Sequence, residues 1–247
     1  MPGRPTLLAH PLLHTIQLVL LVAPVLLFSV IAHEIAHGYA ALQQGDRTAL
    51  DAGRLSWNPA KHIDLYMTIL LPLMMLTGSL IAGGRAIVLG GAKPVPVDPR
   101  NYRHPRMGDI IVSLAGVFTN LLVGALCALL IVLCGLAGRR VPSLDATLGI
   151  LQAMFVIGIW LNAGLIAFNL LPIPPLDGSH VFKYLLPRPL AVAYVRLSRY
   201  GLLVLVLLLF AGERVLEWWI GPAMTTAQWT LDLVRFYLLP SAAQWLP

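Results

Sequence analysis

Charge is what this sequence has least of. Asp, Glu, Lys and Arg make up 11% of the 247 residues and hydrophobic residues 58%, against about 25% charged and about 45–50% apolar in soluble domains. Together with a mean hydropathy of +0.79, this excludes an ordinary soluble protein. Cysteine is nearly absent too. Cys127 and Cys134 lie seven apart in one apolar segment, too far along a helix to bridge, so no disulfide framework holds the fold and both read as small core residues. The sequence also lacks an internal repeat and a low-complexity tail. Its excess of base (+6) is scattered between apolar segments rather than clustered, which excludes nucleic acid as a partner and fits helices anchored at a membrane surface.

What is present is a series of long apolar runs, at about 12–43, 64–83, 109–137, 148–171 and 198–220, with an amphipathic stretch at about 224–245. Runs of about 20 residues are long enough to cross a hydrocarbon core of about 30 Å. The expected fold is an all-α polytopic membrane protein, a bundle of about four to six membrane helices in the lipid bilayer. We read one membrane-embedded domain over 1–247, with a core at about 12–185 and C-terminal helices at about 198–245. The first run continues into His33 without a cleavage site and reads as a retained helix. Polar connectors lie at 45–61 and 83–106. In the first, Arg54–Trp57 has the length of a short strand, one arm of a β-hairpin beside the first helix. In the second, Lys93-Pro94-Val95-Pro96 must be extended, because successive prolines forbid helix.

Chemistry concentrates at His33-Glu34-Ile35-Ala36-His37. Histidines four apart share a helix face and can grip one Zn²⁺, while the glutamate beside them can take a proton from water. Glu34 is the sole glutamate before Glu213 and ends an unbroken apolar run, where an ionisable group costs at least about 2.5–3.5 kcal/mol unless it has a purpose or partner. Catalytic zinc usually takes three protein ligands, and Asp177 is the best candidate for the third. It follows Pro172, Pro174 and Pro175 and precedes Gly178, so its carboxylate can leave the helix line; N-capping of a short helix near Ser179 is the alternative. His180 is a weaker ligand candidate, and His10, His14, His62 and His104 read as interfacial residues.

These residues resemble the site-2 protease family of intramembrane zinc metalloproteases, in its compact prokaryotic branch. Its H-E-x-x-H matches His33, Glu34 and His37, and its Asn-x-x-Pro stretch leading to Asp-Gly matches Asn169-Leu170-Leu171-Pro172 and Pro174-Pro175-Leu176-Asp177-Gly178. Gly116-Val117-Phe118-Thr119-Asn120 is similar to the small-residue G-x-x-x-N of its central helix, with Val117 where proline is common, and Ala92–Val97 with Asn101-Tyr102-Arg103 resembles a connector of that branch. The resemblance covers about residues 20–185. It implies one zinc per chain and transmembrane proteins as substrates. It also implies a role for Asn120 and Asn169 in orienting substrate or a catalytic loop, with helix–helix hydrogen bonding as the alternative. No length is left for the PDZ or CBS domains of larger members, so regulation would fall to the membrane core or to another membrane protein.

A metal shared by His37 and Asp177 constrains topology. If every run crossed fully, the two would lie on opposite membrane faces, so one segment between them must fail to cross. The run 64–83, with Pro72 and Gly78 inside it and Gly83-Gly84 at its end, is expected to be re-entrant. Leaving out Arg235 in the C-terminal stretch, that arrangement gathers twelve of the other sixteen basic residues on one face, against ten for full crossing. The positive-inside rule then sets the metal toward the cytoplasmic side of a prokaryotic inner (plasma) membrane. The expected activity is peptide hydrolysis inside the bilayer, with Glu34 as catalytic base. A non-proteolytic zinc-binding scaffold remains open at this point. So does a small transporter, which the missing repeat disfavours.

Overall fold

The computed structural model describes residues 11–64 and 91–245. The expected re-entrant run at 64–83, apart from Asp64, and His10 lie outside the described residues. Eight helices of four or more residues occur among the described residues: α1 (Pro11–Gln43), α2 (Thr48–Asp51), α3 (Pro105–Arg140), α4 (Asp145–Asn169), α5 (Asp177–Phe182), α6 (Arg188–Leu197), α7 (Gly201–Ala211) and α8 (Glu213–Val234). Among the described residues, four stretches are long and apolar enough to cross a membrane: Val19–Gln43, Pro105–Arg140, Pro142–Asn169 and Arg188–Ala211.

Helices α1, α3 and α4 pack against one another as the centre of the bundle. Lipid tails offer no hydrophobic drive between helices, so close packing and interhelical hydrogen bonds must hold them. Small residues supply the packing. Gly158 of α4 lies so near Cys127 and Val25 that a β-carbon there would come within 2.7 Å of the sulfur and 3.0 Å of the valine. Asn162 of α4, fully buried, donates to Ser29 Oγ of α1 at 2.9 Å. A cluster of Ala32, Val123, Cys127, Ile131, Val156 and Ile159 fills the space between them. Leu20, Phe28, Phe118, Leu122, Leu129 and Leu133 stay exposed on the outer faces, as a lipid-facing surface requires.

The C-terminal half departs from the expected pattern. The run at 198–220 is not one helix: α7 stops at Ala211, Gly212 leaves helical geometry, and α8 starts at Glu213. The first half of the amphipathic stretch at 224–245 belongs to α8, which ends at Val234 and packs along α4. Trp219 donates to the Ala167 carbonyl near the end of α4 at 2.8 Å, while Val234 joins the cluster around Ile131 and Val156. The two helices are therefore antiparallel. After α8 the chain enters a notch made by Gly135, Gly138 and Gly149, against which Tyr237, Leu239 and Ser241 rest. Buried Gln152 closes the notch: its amide donates to the Ile131 and Tyr237 carbonyls and accepts from Leu239 N–H, each at 2.8 Å.

Arg54–Trp57 forms no strand among the described residues, and within it Ser56 N–H turns back to the Arg54 carbonyl at 2.9 Å. Its neighbour is the proline-rich connector, and Pro94 and Pro96 have no N–H to give to a ladder. The Arg54 side chain reaches across instead and donates to the Lys93 carbonyl at 2.8 Å. Farther along, Asp46 accepts from Thr48 N–H, Thr48 Oγ1, Asn101 Nδ2 and Asp98 N–H at 2.5–3.1 Å, and Arg103 N–H donates to the Gln44 carbonyl at 2.7 Å. The chain thus leaves α1 and enters α3 at the same end of the bundle. This is the relation that the shared-metal argument requires of the residues flanking 64–83.

Candidate metal centre

The site lies where α1, α3 and α5 meet. On α1, His33 and His37 are one turn apart, with rings edge to face and Nε2 atoms 2.9 Å from each other. Asp177 opens α5 directly after the proline-broken turn, whose Pro174–Pro175 peptide is cis. Leu176, not Asp177, occupies the cap position of this helix, against the capping alternative. The Asp177 carboxylate turns to the histidines, with Oδ2 at 3.2 Å from His33 Nε2 and 3.4 Å from His37 Nε2.

Separations of 2.9, 3.2 and 3.4 Å are the test of fit. A tetrahedral ion with bonds of about 2.0–2.1 Å sets its ligand atoms about 3.3 Å apart. Two imidazole nitrogens and a carboxylate oxygen at these distances could hold a metal ion, and their chemistry fits zinc. The tautomer is also prepared. His37 Nδ1 lies 2.7 Å from the Val112 carbonyl of α3 and donates to it, which turns the lone pair on Nε2 toward His33 and Asp177.

Helix α3 can come this close only because of Gly116. A β-carbon at that position would lie 2.5 Å from His33 Nε2 and 2.6 Å from His37 Nε2, closer than real contacts allow. One turn further along α3, Asn120 is fully buried, and neither atom of its amide has a hydrogen-bond partner among the described residues. It forms no interhelical tie among the described residues. Asn169 donates to the Leu165 carbonyl of its own helix at 3.0 Å, a local bond that also ties no second helix.

Glu34 points to the connector. Its Oε2 accepts from Val95 N–H at 2.7 Å, so an extended backbone already lies across the carboxylate beside the histidine pair. Gly38 makes room for this arrangement, since a β-carbon there would meet Val95 Cγ1 at 3.0 Å and Ala49 at 3.2 Å. His180 does not join the metal ligands. Its Nδ1 lies 3.2 Å from Asp109 Oδ1 of α3. His62 is buried with Nε2 2.7 Å from the Ser56 carbonyl, so it is a loop-fixing residue rather than an interfacial one. His14 falls in the first turn of α1 and His104 directly precedes α3. Gly116, Val95 and Asp109 are functional neighbours that motif reading did not single out for these contacts; the sole acidic residue of an otherwise apolar helix was the available signal for Asp109.

The fold and the site define a class: a polytopic α-helical membrane protein with a His₂Asp donor set beside a glutamate, which is the apparatus of a metallohydrolase. The comparisons with known proteins agree. Residues 137–210 match the model of peptidase family M50. "Putative zinc metalloprotease YwhC" of Bacillus subtilis is 38% identical over 183 residues, covering 74% of this chain and 77% of that protein. "Putative zinc metalloprotease Rip2" of Mycolicibacterium smegmatis is 29% identical over 85% of this chain and 70% of its own length, and its Mycobacterium tuberculosis namesake 27% over 84% and 71%. No solved structure matches. The chain belongs to peptidase family M50, the site-2 protease family, and is a membrane metalloprotease of that family.

Proposed function

We propose that this chain hydrolyses peptide bonds within or near the transmembrane segments of membrane proteins, with one zinc held by His33, His37 and Asp177. The observation that carries the reading is the convergence of those three ligand atoms within 4.8 Å of one another beside Glu34, with both histidines inside a helix long and apolar enough to cross a membrane. His37 and His33 are six and ten residues from the end of α1, about 9–15 Å along the helix at about 1.5 Å per residue.

When bound, zinc supplies Lewis acidity, lowering the pKa of a water toward about 7 and polarising the scissile carbonyl. Glu34 takes the proton from the attacking water and returns it to the leaving amine as the peptide bond breaks. The Val95 N–H on Glu34 supports a peptide substrate, because it demonstrates that extended backbone fits against this carboxylate. A transmembrane helix hides its peptide bonds, so substrate must unwind locally before it reaches Glu34. Asn120 lies one turn beyond Gly116, and its buried amide, unpaired among the described residues, supports a role in hydrogen-bonding such an unwound segment.

The orientation follows from charge. Arg47, Lys61, Lys93, Arg100 and Arg103 lie in the connectors at the end of the bundle where α1 finishes. By the positive-inside rule this end faces the cytoplasm of a prokaryotic plasma membrane. Water reaches the site from that side through the polar connectors.

Glu34→Gln separates this reading from a zinc-binding scaffold. The variant is expected to keep about one zinc per chain and to lose cleavage of a single-span membrane protein co-reconstituted in proteoliposomes. Cleavage at the wild-type rate by Glu34→Gln, or a wild type that binds transmembrane helices and leaves them intact, would contradict it.

A further inference from the structure

Asp109 is the one acidic residue of α3, and it is buried, 3% exposed. An ionised carboxylate in an apolar helix is costly unless it is paired. Among the described residues, the side chains that hydrogen-bond or ion-pair with it all come from a single short stretch of chain. His180 Nδ1 lies 3.2 Å from Oδ1, Lys183 Nζ 2.5 Å from Oδ2, and Tyr184 Oη donates to Oδ2 at 3.0 Å. One turn earlier on α3, Arg106 donates to the Tyr184 carbonyl at 3.3 Å and sits over its ring.

That stretch is α5 and the turn after it. Helix α5 has six residues, fewer than an isolated helix needs to hold its own geometry, and Asp177 is the first of them. His180 is three residues on, on the same face of the helix as Asp177. On α3, Asp109, Val112, Gly116 and Asn120 fall at helical spacing along one face. Val112 orients His37 and Gly116 touches both histidine rings. One face of α3 thus contacts the two ligands of α1 at its middle and grips the helix carrying the third ligand at its start.

We propose that Asp109 is a positioning residue for the metal centre: by binding His180, Lys183 and Tyr184 it fixes the rotation of α5 about its axis and so holds the Asp177 carboxylate on the histidine pair. This rests on the metalloprotease reading and adds to it a carboxylate that touches neither metal nor substrate. Substitution of outer partners of a metal site typically lowers affinity about 10–100-fold, and that is the size of effect expected.

The test uses the full chain in detergent. Zinc affinity is measured by competition with a chromophoric chelator, and the visible spectrum is recorded with Co²⁺ as the probe, for wild type, Asp177→Ala, Asp109→Asn and Asp109→Glu. Asp109→Asn is expected to bind zinc about 10–100-fold more weakly and to shift the cobalt spectrum toward that of Asp177→Ala, with partial recovery in Asp109→Glu. Wild-type affinity and spectrum in Asp109→Asn would overturn the proposal and leave the metalloprotease reading standing. A wild type that binds neither metal would overturn that reading and the proposal with it. Where Asp109→Asn does not accumulate as folded protein, Lys183→Met and Tyr184→Phe remove two of the contacts from the other side. Weaker zinc binding in them supports the proposal, and wild-type values in both overturn it.

Discussion

Gly116 and His37 approach so closely that a β-carbon on the glycine would sit 2.6 Å from the ligand nitrogen of the histidine. The absence of a side chain on α3 is therefore part of the metal centre. A helix pays about 0.8–1.0 kcal/mol for glycine relative to alanine, and here the space gained is what lets three helices meet at one ion.

Gly116→Ala is accordingly expected to abolish or severely weaken zinc binding and cleavage, although alanine is the better helix former. Gly124, two turns along the same helix, is the control. A β-carbon there meets Asn162 at an ordinary 3.6 Å, so Gly124→Ala keeps wild-type metal content. Elemental analysis of both variants checks the contrast, and equal zinc in the two would count against the packing argument.

Asp46 predicts a pH dependence of stability. Burial works against its charge, but hydrogen bonds from Thr48, Asn101 and Asp98 outweigh burial and hold its carboxyl below the ordinary value. A folded-state pKa below the unfolded one gives stabilisation that is complete above about pH 3.9 and is lost as pH falls through the lower folded value. Thermal unfolding followed from pH 7 downward should show a fall in Tm in that acid range. Asp46→Asn should start lower at neutral pH and show a smaller fall.

The topology gives a labelling pattern. Arg47 follows α1, and Arg100 precedes α3; the two are 67% and 89% exposed at the side chain. Cysteines placed singly at these positions, in a Cys127→Ala and Cys134→Ala background, are expected to react with an impermeant thiol reagent from the same membrane face, and a cysteine at Arg140 from the other. Opposite faces for 47 and 100 would break the arrangement that brings His37 to Asp177.

Much of the bundle and the ligand set was legible because both are written in local terms. Apolar runs mark α1, α3 and α4 to within a few residues, His33 and His37 need only a helix to face one ion, and the prolines before Asp177 announce a carboxylate that leaves the helix line. What was not legible depends on contacts distant in sequence. Arg54–Trp57 reads as a strand by composition, but Pro94 and Pro96 on the neighbouring segment have no donors for it. The break at Gly212 lies inside an apolar run that hydropathy cannot divide. The packing of α8 on α4 and the notch around Gln152 join segments some 85 residues apart. His180 looked like a spare ligand because Asp109, 71 residues earlier, carries no motif that names it as its partner.

The most direct measurement is the zinc content of the purified protein by elemental analysis, wild type against Asp177→Ala. About one zinc per chain in the wild type, lost or sharply reduced in the variant, is the predicted result. A wild type without metal after zinc reconstitution, or a variant that binds zinc as well as the wild type, would contradict the metal centre on which the proposed function rests.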